Sequence, residues 1–518
     1  MSIRHLSHAG NTFFVQSDCS FKGSCILNLF ALHCKIEKYV KEWFSLSLKS
    51  MFAATDMTEG TPWKKILQFS VPMILGNIAQ QLYNTADTVI VGIYVGDNAL
   101  SAVGSASPIL NLLLALFVGI ATGAGIVISQ SCGARDREGL SKNIGNCITL
   151  TVIASLFIMI VGPMITRPML NMLDTPASII GWCESYLNIY FYGILGFFMY
   201  NMLSGVLRGL GDSASALIFL LVAAALNVVL DLVFVAGFGM GVSGVALATI
   251  IAQGISAVCC YIKLMKLRHM FDLNKDAFRF DKHISGRIIR IGIPSGITQA
   301  IMSCSMMIVQ ALTNSMGEMV IAANVIIMRV DGFAMMPNMS FGQAMSVYTG
   351  QNVGAHKWHR VHKGINQGCY IAEIFSGTIT LILLFLNRYL FAIFTDTPEL
   401  IELAGQMMRI MAVGYIAVSI TQVMGGVMRG AGDTVTPMWI SMISTVALRL
   451  PVAYGLAYLT RSEAFPHGHP FSLSVSLLVA WTMGAVISTI AYKRSKVRQV
   501  ILGNTCKELG VDTPPKLR

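Results

Sequence analysis

Long apolar runs separated by short polar stretches make up most of the chain. An α-helix rises about 1.5 Å per residue, so about 20 residues cross the apolar layer of a bilayer. The pattern predicts an all-α polytopic membrane protein, because the runs are too long and uniform for the strands of a β-barrel. Twelve transmembrane helices are predicted, near 66–94, 99–128, 143–166, 181–206, 215–238, 241–267, 288–313, 318–348, 364–388, 400–427, 434–460 and 471–493.

The two halves of the chain repeat each other. The segment Ser204–Asp212, SGVLRGLGD, returns 221 positions later as Gly425–Asp433, GGVMRGAGD. Gln130 and Gln351 are 221 positions apart, and each is followed three residues later by Gly-Ala. Six spans is an even number, so both halves enter the membrane from the same side. The predicted architecture is therefore two pseudo-symmetric six-helix bundles with the substrate path between them.

The domain boundaries follow from these spans. Residues 1–56 differ in composition from the rest, and the hypothesis is that the functional protein begins near Met51 or Met57, without this non-homologous extension. N-terminal sequencing of the purified protein would contradict that hypothesis if it found Met1. The other predicted parts are an N-lobe at 57–267, a cytoplasmic linker at 268–287, a C-lobe at 288–493 and a basic cytoplasmic tail at 494–518.

Composition and charge placement agree with a membrane protein. Hydrophobic residues make up 54% of the chain and charged residues 12%, against about 25% charged in soluble domains. The formal net charge of +11 is concentrated in alternate loops. This positive-inside pattern indicates the cell (inner) membrane with both termini in the cytoplasm, rather than a nucleic-acid surface. The eleven cysteines are scattered, which argues against a disulfide framework or a transition-metal site.

The first predicted span contains an acidic residue, Asp87, and no Lys or Arg between residues 66 and 94. A charge inside a membrane is costly and is a functional hypothesis by default. Pro72 predicts a bend in the same span. Polar residues at helical spacing beside Asp87 predict a stripe that faces a cavity rather than lipid; they are Asn77, Gln81, Asn84 and Thr88.

A second acidic residue, Asp231, lies in the fifth predicted span, and the spans of the first half offer neither acid a Lys or Arg partner. Asn227 shares its helix face, and Thr249 in the sixth span adds a hydroxyl oxygen. This all-oxygen set suits Na⁺ or a shared proton. The alternative is a polar network that only holds helices together.

The charged residues of the second half and of the repeated motif are predicted to be mainly structural. Three arginines in the later spans nearly balance two acids, which predicts internal pairing; the residues are Arg329, Arg409, Arg449, Asp331 and Glu373. The motif residues are predicted at cytoplasmic helix ends, where they cap turns or shape an inward-facing gate; they are Arg208, Asp212, Arg429 and Asp433.

Between about Thr61 and Lys493 the sequence resembles the multidrug and toxic compound extrusion family. The resemblance rests on Asn84-Thr-Ala-Asp87-Thr, on the duplicated Arg-Gly-x-Gly-Asp, and on Asn227-x-x-x-Asp231 with Thr249. It is closest to the branch of the DNA-damage-inducible and staphylococcal multidrug types. There the positions matching Asp87, Asn227, Asp231 and Thr249 form the cation site of the N-lobe. Another branch has further acids on its seventh and tenth spans, whereas here Ile288 to Leu312 and Leu403 to Gly432 contain no Asp or Glu.

The resemblance implies a secondary antiporter that exports organic compounds, with cationic ones favoured, in exchange for H⁺ or Na⁺. Its predicted partners are drug-like small molecules and membrane lipids, with no nucleic acid, no cofactor beyond the coupling ion, and a monomeric state. An enzyme is not predicted, because no phosphate-binding Gly-x-x-x-x-Gly-Lys-Ser/Thr stretch occurs. The alternative function is a flippase for a lipid-linked saccharide, which would need basic residues in the central cavity.

Overall fold

A computed structural model describes residues 55–173, 175–463 and 465–509, and these residues form helices joined by short connections. The predicted N-terminal extension lies outside the described residues except for Thr55 and Asp56. The first half contains α1 (Pro62–Tyr94), α2 (Asp97–Gly133), α3 (Arg137–Met172), α4 (Ile180–Tyr192), α5 (Ile194–Gly209), α6 (Ser213–Asp231) and α7 (Gly241–Lys266).

The second half follows the same plan after a short 3-10 helix at Lys275–Phe278. It contains α8 (Lys282–Ser315), α9 (Glu318–Gly354), α10 (Trp358–Phe391), α11 (Pro398–Ala412), α12 (Gly414–Gly430), α13 (Val435–Met442), α14 (Arg449–Leu459) and α15 (Phe471–Arg494), with α16 (Lys496–Leu509) at the end. Helix α8 begins inside the predicted linker, and α16 lies inside the predicted tail.

Each predicted span corresponds to one helix or to one pair of consecutive helices. Among the described residues, nine segments are long and apolar enough to cross a membrane, and two bent pairs raise the number to eleven. The pair α4–α5 bends by 54° and the pair α11–α12 by 44°. The one predicted span outside these eleven is the first, which corresponds to α1. Its 33 residues are long enough to cross a membrane, but they include the polar positions near Asp87. The all-α membrane fold is therefore confirmed.

The fifth and the eleventh predicted spans, which correspond in the repeat, each contain a π-helical turn, although the two turns are at different positions along the span. In the first half the turn covers Leu232–Gly237 and directly follows Asp231. In the second half it covers Ile443–Leu448 and directly precedes Arg449. Turns of this kind are frequent at functional sites, because the extra residue breaks the regular ladder of hydrogen bonds. Each of the two turns adjoins one ionisable residue, Asp231 in the first half and Arg449 in the second.

Glycines bring the two halves into close contact along α2 and α8. A Cβ added at Gly119 would lie 2.3 Å from the backbone nitrogen of Gly296, and one at Gly123 would lie 2.6 Å from that of Gly292. Each helix thus presents two glycines four residues apart to the other. In a membrane, where apolar burial does not drive helix association, such small residues allow the backbones to approach and pack.

The repeated glutamines close one end of the interface between the halves. Gln351 on α9 donates through Nε2 to the carbonyl of Gly209 at 3.0 Å. Gln130 on α2 donates through Nε2 to the carbonyl of Gly430 at 2.9 Å. The two contacts are related by the repeat, and each joins one half to the other. This end is referred to below as the closed end.

The segment before α1 also packs at the closed end. Met57 is fully buried, and its backbone N–H donates to Oε1 of Gln351 at 3.0 Å. Its carbonyl accepts hydrogen bonds from Asn352 Nδ2 at 3.0 Å and from Arg360 Nη2 at 3.1 Å. Thr55 donates its backbone N–H to Gly211 of the other half at 2.9 Å. The segment therefore contacts both halves.

Candidate coupling-ion site

The predicted ion-site residues lie on three helices of the first half. Asp87 is on α1, Asn227 and Asp231 are on α6, and Thr249 is on α7. After Asp231 the π-helical turn and two glycines with positive φ, Gly239 at 65° and Gly241 at 58°, return the chain so that α7 runs back beside α6. This reversal puts Thr249 next to Asn227 across 22 positions of sequence.

The four side chains are in contact and largely closed to the surface. Asn227 and Asp231 are 0% exposed and Thr249 is 6% exposed, while Asp87 is partly buried. The Asn227 amide lies between Asp231 on α6 and Thr249 on α7. With its nitrogen toward the carboxylate, it donates to Asp231 Oδ2 at 3.0 Å, and its oxygen accepts from the backbone N–H of Thr249 at 3.2 Å. The Thr249 hydroxyl donates to the carbonyl of Val245 at 3.0 Å.

The carboxyl groups of Asp87 and Asp231 adjoin each other within hydrogen-bonding range. One oxygen of each, Oδ1, is buried and has no hydrogen-bond partner among the described residues. No Lys or Arg of the described chain forms a salt bridge with either acid. Two adjacent carboxylates in a medium of low dielectric repel each other unless a proton or a cation lies between them. The arrangement can therefore hold one shared proton or one cation.

Three tyrosines beside the acids were not predicted from the sequence. Tyr83 on α1 lies near Asp87, Asp231 and Thr249. Tyr186 and Tyr190 on α4 extend this wall, with their ring centroids 5.9 Å apart. Their spacing is a usable signal, because Tyr83 is four residues before Asp87 and the other two are four residues apart, so each pair shares a helix face. Aromatic rings near carboxylates suit an organic cation.

The positions of the predicted polar stripe of α1 are displaced to one side of Asp87 around the helix. Asn77 donates through Nδ2 to the hydroxyl of Ser340 on α9, in the other half, at 3.0 Å. Gln81 is partly buried and Asn84 is exposed, and the side chain of Thr88 lies outside the described residues. At about 100° per residue, these positions lie well to one side of Asp87 on the helix. Asn77 therefore faces the second half, and Asp87 faces the first.

The gate candidates lie at the closed end or in α1. Pro72 is inside the continuous helix α1. Asp212 accepts a hydrogen bond from the backbone N–H of Ser215 at 2.9 Å, which caps α6. Asp433 makes the equivalent contact with Thr436 at 3.0 Å. The arginines of the same motif, Arg208 and Arg429, do not cap these helices.

The second half contains a separate acidic group. Asp331 on α9 accepts a hydrogen bond from the hydroxyl of Tyr415 at 2.6 Å. Arg449 faces the same cavity of about 60 Å³, without a salt bridge to Asp331 within 4 Å. The predicted pairing of these charges is therefore present only at longer range.

The chain is similar in sequence to a known protein family and to known proteins. The family model MatE matches residues 72–233 and 294–455, which are the two repeats. The "Probable multidrug resistance protein YpnP" of Bacillus subtilis (strain 168) is 30% identical over 399 residues, covering 77% of this chain and 89% of that protein. The chain belongs to the MatE family. The predicted resemblance to the family is thereby confirmed, and the branch stays a prediction.

The chain is also similar to a further multidrug resistance protein in sequence and to two solved structures in fold. The "Probable multidrug resistance protein YoeA" of Bacillus subtilis (strain 168) is 28% identical over 428 residues, covering 81% of this chain and 92% of that protein. A structure described as "Outward-facing conformation of a multidrug resistance MATE family transporter of the MOP superfamily" has a TM-score of 0.77 at 22% identity, covering 86% of this chain and 98% of that chain. Another, "Crystal structure of MATE in the bent conformation", has a TM-score of 0.78 at 22% identity, covering 86% and 98%. The MatE fold is shared with both.

Proposed function

We propose that this MatE protein is a secondary antiporter that exports drug-like organic compounds, chiefly cations, in exchange for H⁺ or Na⁺. The observation that carries the proposal is the pair of adjoining carboxyl groups, Asp87 and Asp231, with no salt bridge to a basic residue in the described chain. The multidrug resistance names of the relatives support efflux as the direction and drugs as the substrate class.

The coupling ion would bind between the two acids, with Asn227 and Thr249 completing the site. The two carboxylate oxygens that lack a hydrogen-bond partner supply free ligands for a cation, or for a proton that the pair shares. The nearby tyrosine wall would receive an organic cation. Because drug and ion would both be attracted to the same negative charge, their binding would be antagonistic, which is the requirement for exchange.

The architecture proposed for this exchange is the two-lobe arrangement. The N-lobe at 57–267 and the C-lobe at 288–493 would act as two bodies joined by the linker at 268–287. A monomer is sufficient, since the acids come from one lobe. The flippase alternative is favoured by the two motif arginines, which face a cavity between the halves. We retain efflux as the function, because the named relatives are multidrug resistance proteins.

Efflux of a cationic dye from proteoliposomes tests the function directly. An H⁺ gradient and a Na⁺ gradient are imposed separately, with liposomes without protein as the blank. We expect one of the two gradients to drive dye movement above the blank, and its identity names the coupling ion. Dye movement that ignores both gradients, or passive ion conductance without exchange, would contradict antiport.

The proposed orientation places both termini and the closed end in the cytoplasm of the cell (inner) membrane. Cysteines introduced at Asn98 and Glu318, in a background without the native cysteines, should react with an impermeant reagent in intact cells. Cysteines at Asp136 and Lys275 should react only after permeabilisation. Labelling of Lys275→Cys from outside in intact cells would contradict this orientation and indicate the opposite one.

A further inference from the structure

Two arginines of the repeated motif line one cavity between the halves. Arg208 lies on α5 in the first half, and Arg429 lies on α12 in the second. The cavity has a volume of about 50 Å³, and its other polar side chains are those of Thr122, Gln343 and Ser346. No acidic residue is among the described residues that line it. The site therefore presents positive charge from both halves.

The acids of the motif are engaged elsewhere. Besides capping α6 through Ser215, Asp212 forms a salt bridge with Lys263 at 3.2 Å. Asp433 accepts from the backbone N–H of Thr436. Neither acid forms a salt bridge with the arginine four residues before it in the described chain. Of the four motif residues predicted to cap turns, only the two acids therefore do so.

Both guanidinium groups fold back along their own helices. Arg208 donates through Nη1 to the hydroxyl of Ser204, one turn earlier, at 2.8 Å. The equivalent position in the second half is Gly425, and Nη1 of Arg429 lies 3.2 Å from the point that a Cβ on this glycine would occupy. Within the described chain this is the one side-chain hydrogen bond of Arg208, and Arg429 has none.

A guanidinium carries five N–H donors. Both arginines are partly buried, and the described chain offers a side-chain hydrogen bond to one donor of Arg208 and to none of Arg429. Carboxylate and phosphate oxygens are the acceptors that match its fork geometry. Two guanidinium groups together carry two positive charges, which a phosphate group of about −1.5 to −2 balances best. We propose that Arg208 and Arg429 form an anion site between the halves, and that it binds a phosphate group.

The size of the site is sufficient for a phosphate group. About 10–15 Å³ of water-accessible space holds one water molecule, so the cavity of about 50 Å³ has room for several waters or for one phosphate group. Arg429 also lines a second cavity of about 110 Å³, which has no acid among its described lining residues. Its hydroxyl and amide side chains could bind the remainder of a headgroup; they are Thr298, Thr421, Gln422, Ser441, Ser444, Thr445 and Ser488. The phosphate can thus come from a lipid headgroup or from inorganic phosphate.

The site lies directly behind the closed end. Gly209 and Gly430, whose carbonyls accept the bonds from Gln351 and Gln130, each directly follow one of the two arginines in sequence. A phosphate bound to one arginine from each half would hold the halves together and favour the conformation with this end closed. The proposal does not depend on ion coupling at Asp87 and Asp231.

The test is phosphate binding to the purified full chain, by calorimetry at constant ionic strength, and retention of phosphatidic acid from nanodiscs, by native mass spectrometry. The variants are Arg208→Gln, Arg429→Gln and their combination. The control is Arg494→Gln, which removes an exposed arginine at the end of α15. We expect one site per wild-type chain, a loss of about tenfold or more in affinity for each single variant, and no binding by the double variant.

Binding of inorganic phosphate would identify the free ion as a ligand, and retention of phosphatidic acid alone would identify a headgroup. The control should bind as the wild type does. Gel filtration and retained binding of a cationic dye would show that the double variant is folded. A wild type that binds neither probe, or a folded double variant that binds as well as the wild type, would overturn the proposal.

Discussion

Replacing Asp87 by Asn should reduce the initial rate of gradient-driven dye export to a small residual rate, close to but measurably above that of liposomes without protein. The substitution removes one of the two adjoining carboxyl groups but keeps the shape of the side chain. Asp231 would then have no second acid with which to share a proton or a cation. Without ion exchange, the drive of about 2.3 kcal/mol per charge and per 100 mV is no longer available to move the drug.

The same substitution should leave folding and insertion intact. Asp87 has one carboxylate oxygen that is buried without a hydrogen-bond partner in the described chain, so removing its charge removes a desolvation cost. The matched control is Glu373→Gln, which also neutralises a carboxyl inside a span, on α10, where no second acid adjoins it. Gel filtration and thermal unfolding report folding. If Asp87→Asn exported dye against a gradient at the wild-type rate, Asp87 would not be the coupling acid.

Hydrophobic pattern alone predicted the number, order and approximate limits of the spans. This works because each membrane helix must satisfy its own backbone and bury apolar side chains against lipid, whatever its neighbours are. The bends at Gly193 and near Val413 were not predicted. Hydropathy averages composition over a window and contains no information on direction, so a bent pair and a straight helix give the same signal.

The ion site could be predicted in part for a related reason. Asp87 and Asp231 are conspicuous because an acid in a long apolar run is rare. The tyrosine wall was missed because Tyr186 and Tyr190 are ordinary residues in an apolar helix. Their importance depends on the position of α4 near α1, about 100 positions away in sequence, and a single sequence read alone does not reveal that proximity.

For the motif arginines, the sequence predicted the position in the chain but not the direction of the side chain. Their position in the chain suggested helix ends, and α5 and α12 do end within one residue of Arg208 and Arg429. The direction of a long side chain is set by its rotamer, however, and both fold back into the cavity rather than out to the turn. Sequence position located these charges but did not identify what they face.

The second large effect concerns Asp87 and Asp231 together. If the pair holds one ion, then either substitution to Asn destroys the site, and the second adds nothing to the first. The double variant should therefore export no worse than either single one, and the coupling energy should be large, as is usual for groups that act as a unit. Substitution of Asn227 or Thr249 by Ala should have smaller effects, because both side chains are neutral: Asn227 donates a hydrogen bond to Asp231, and Thr249 contributes a hydroxyl beside it.

The direct test is therefore a double-mutant cycle on gradient-driven dye export, with Asp87→Asn, Asp231→Asn and the combination measured in proteoliposomes at equal protein density. Pairing Asp87→Asn with Glu373→Gln provides a matched cycle between groups that do not adjoin. A double variant of the two aspartates no worse than the single ones, with additivity in the matched cycle, is the expected result. Additive losses for Asp87 and Asp231 would mean two independent groups, and would contradict a single ion site shared by the pair.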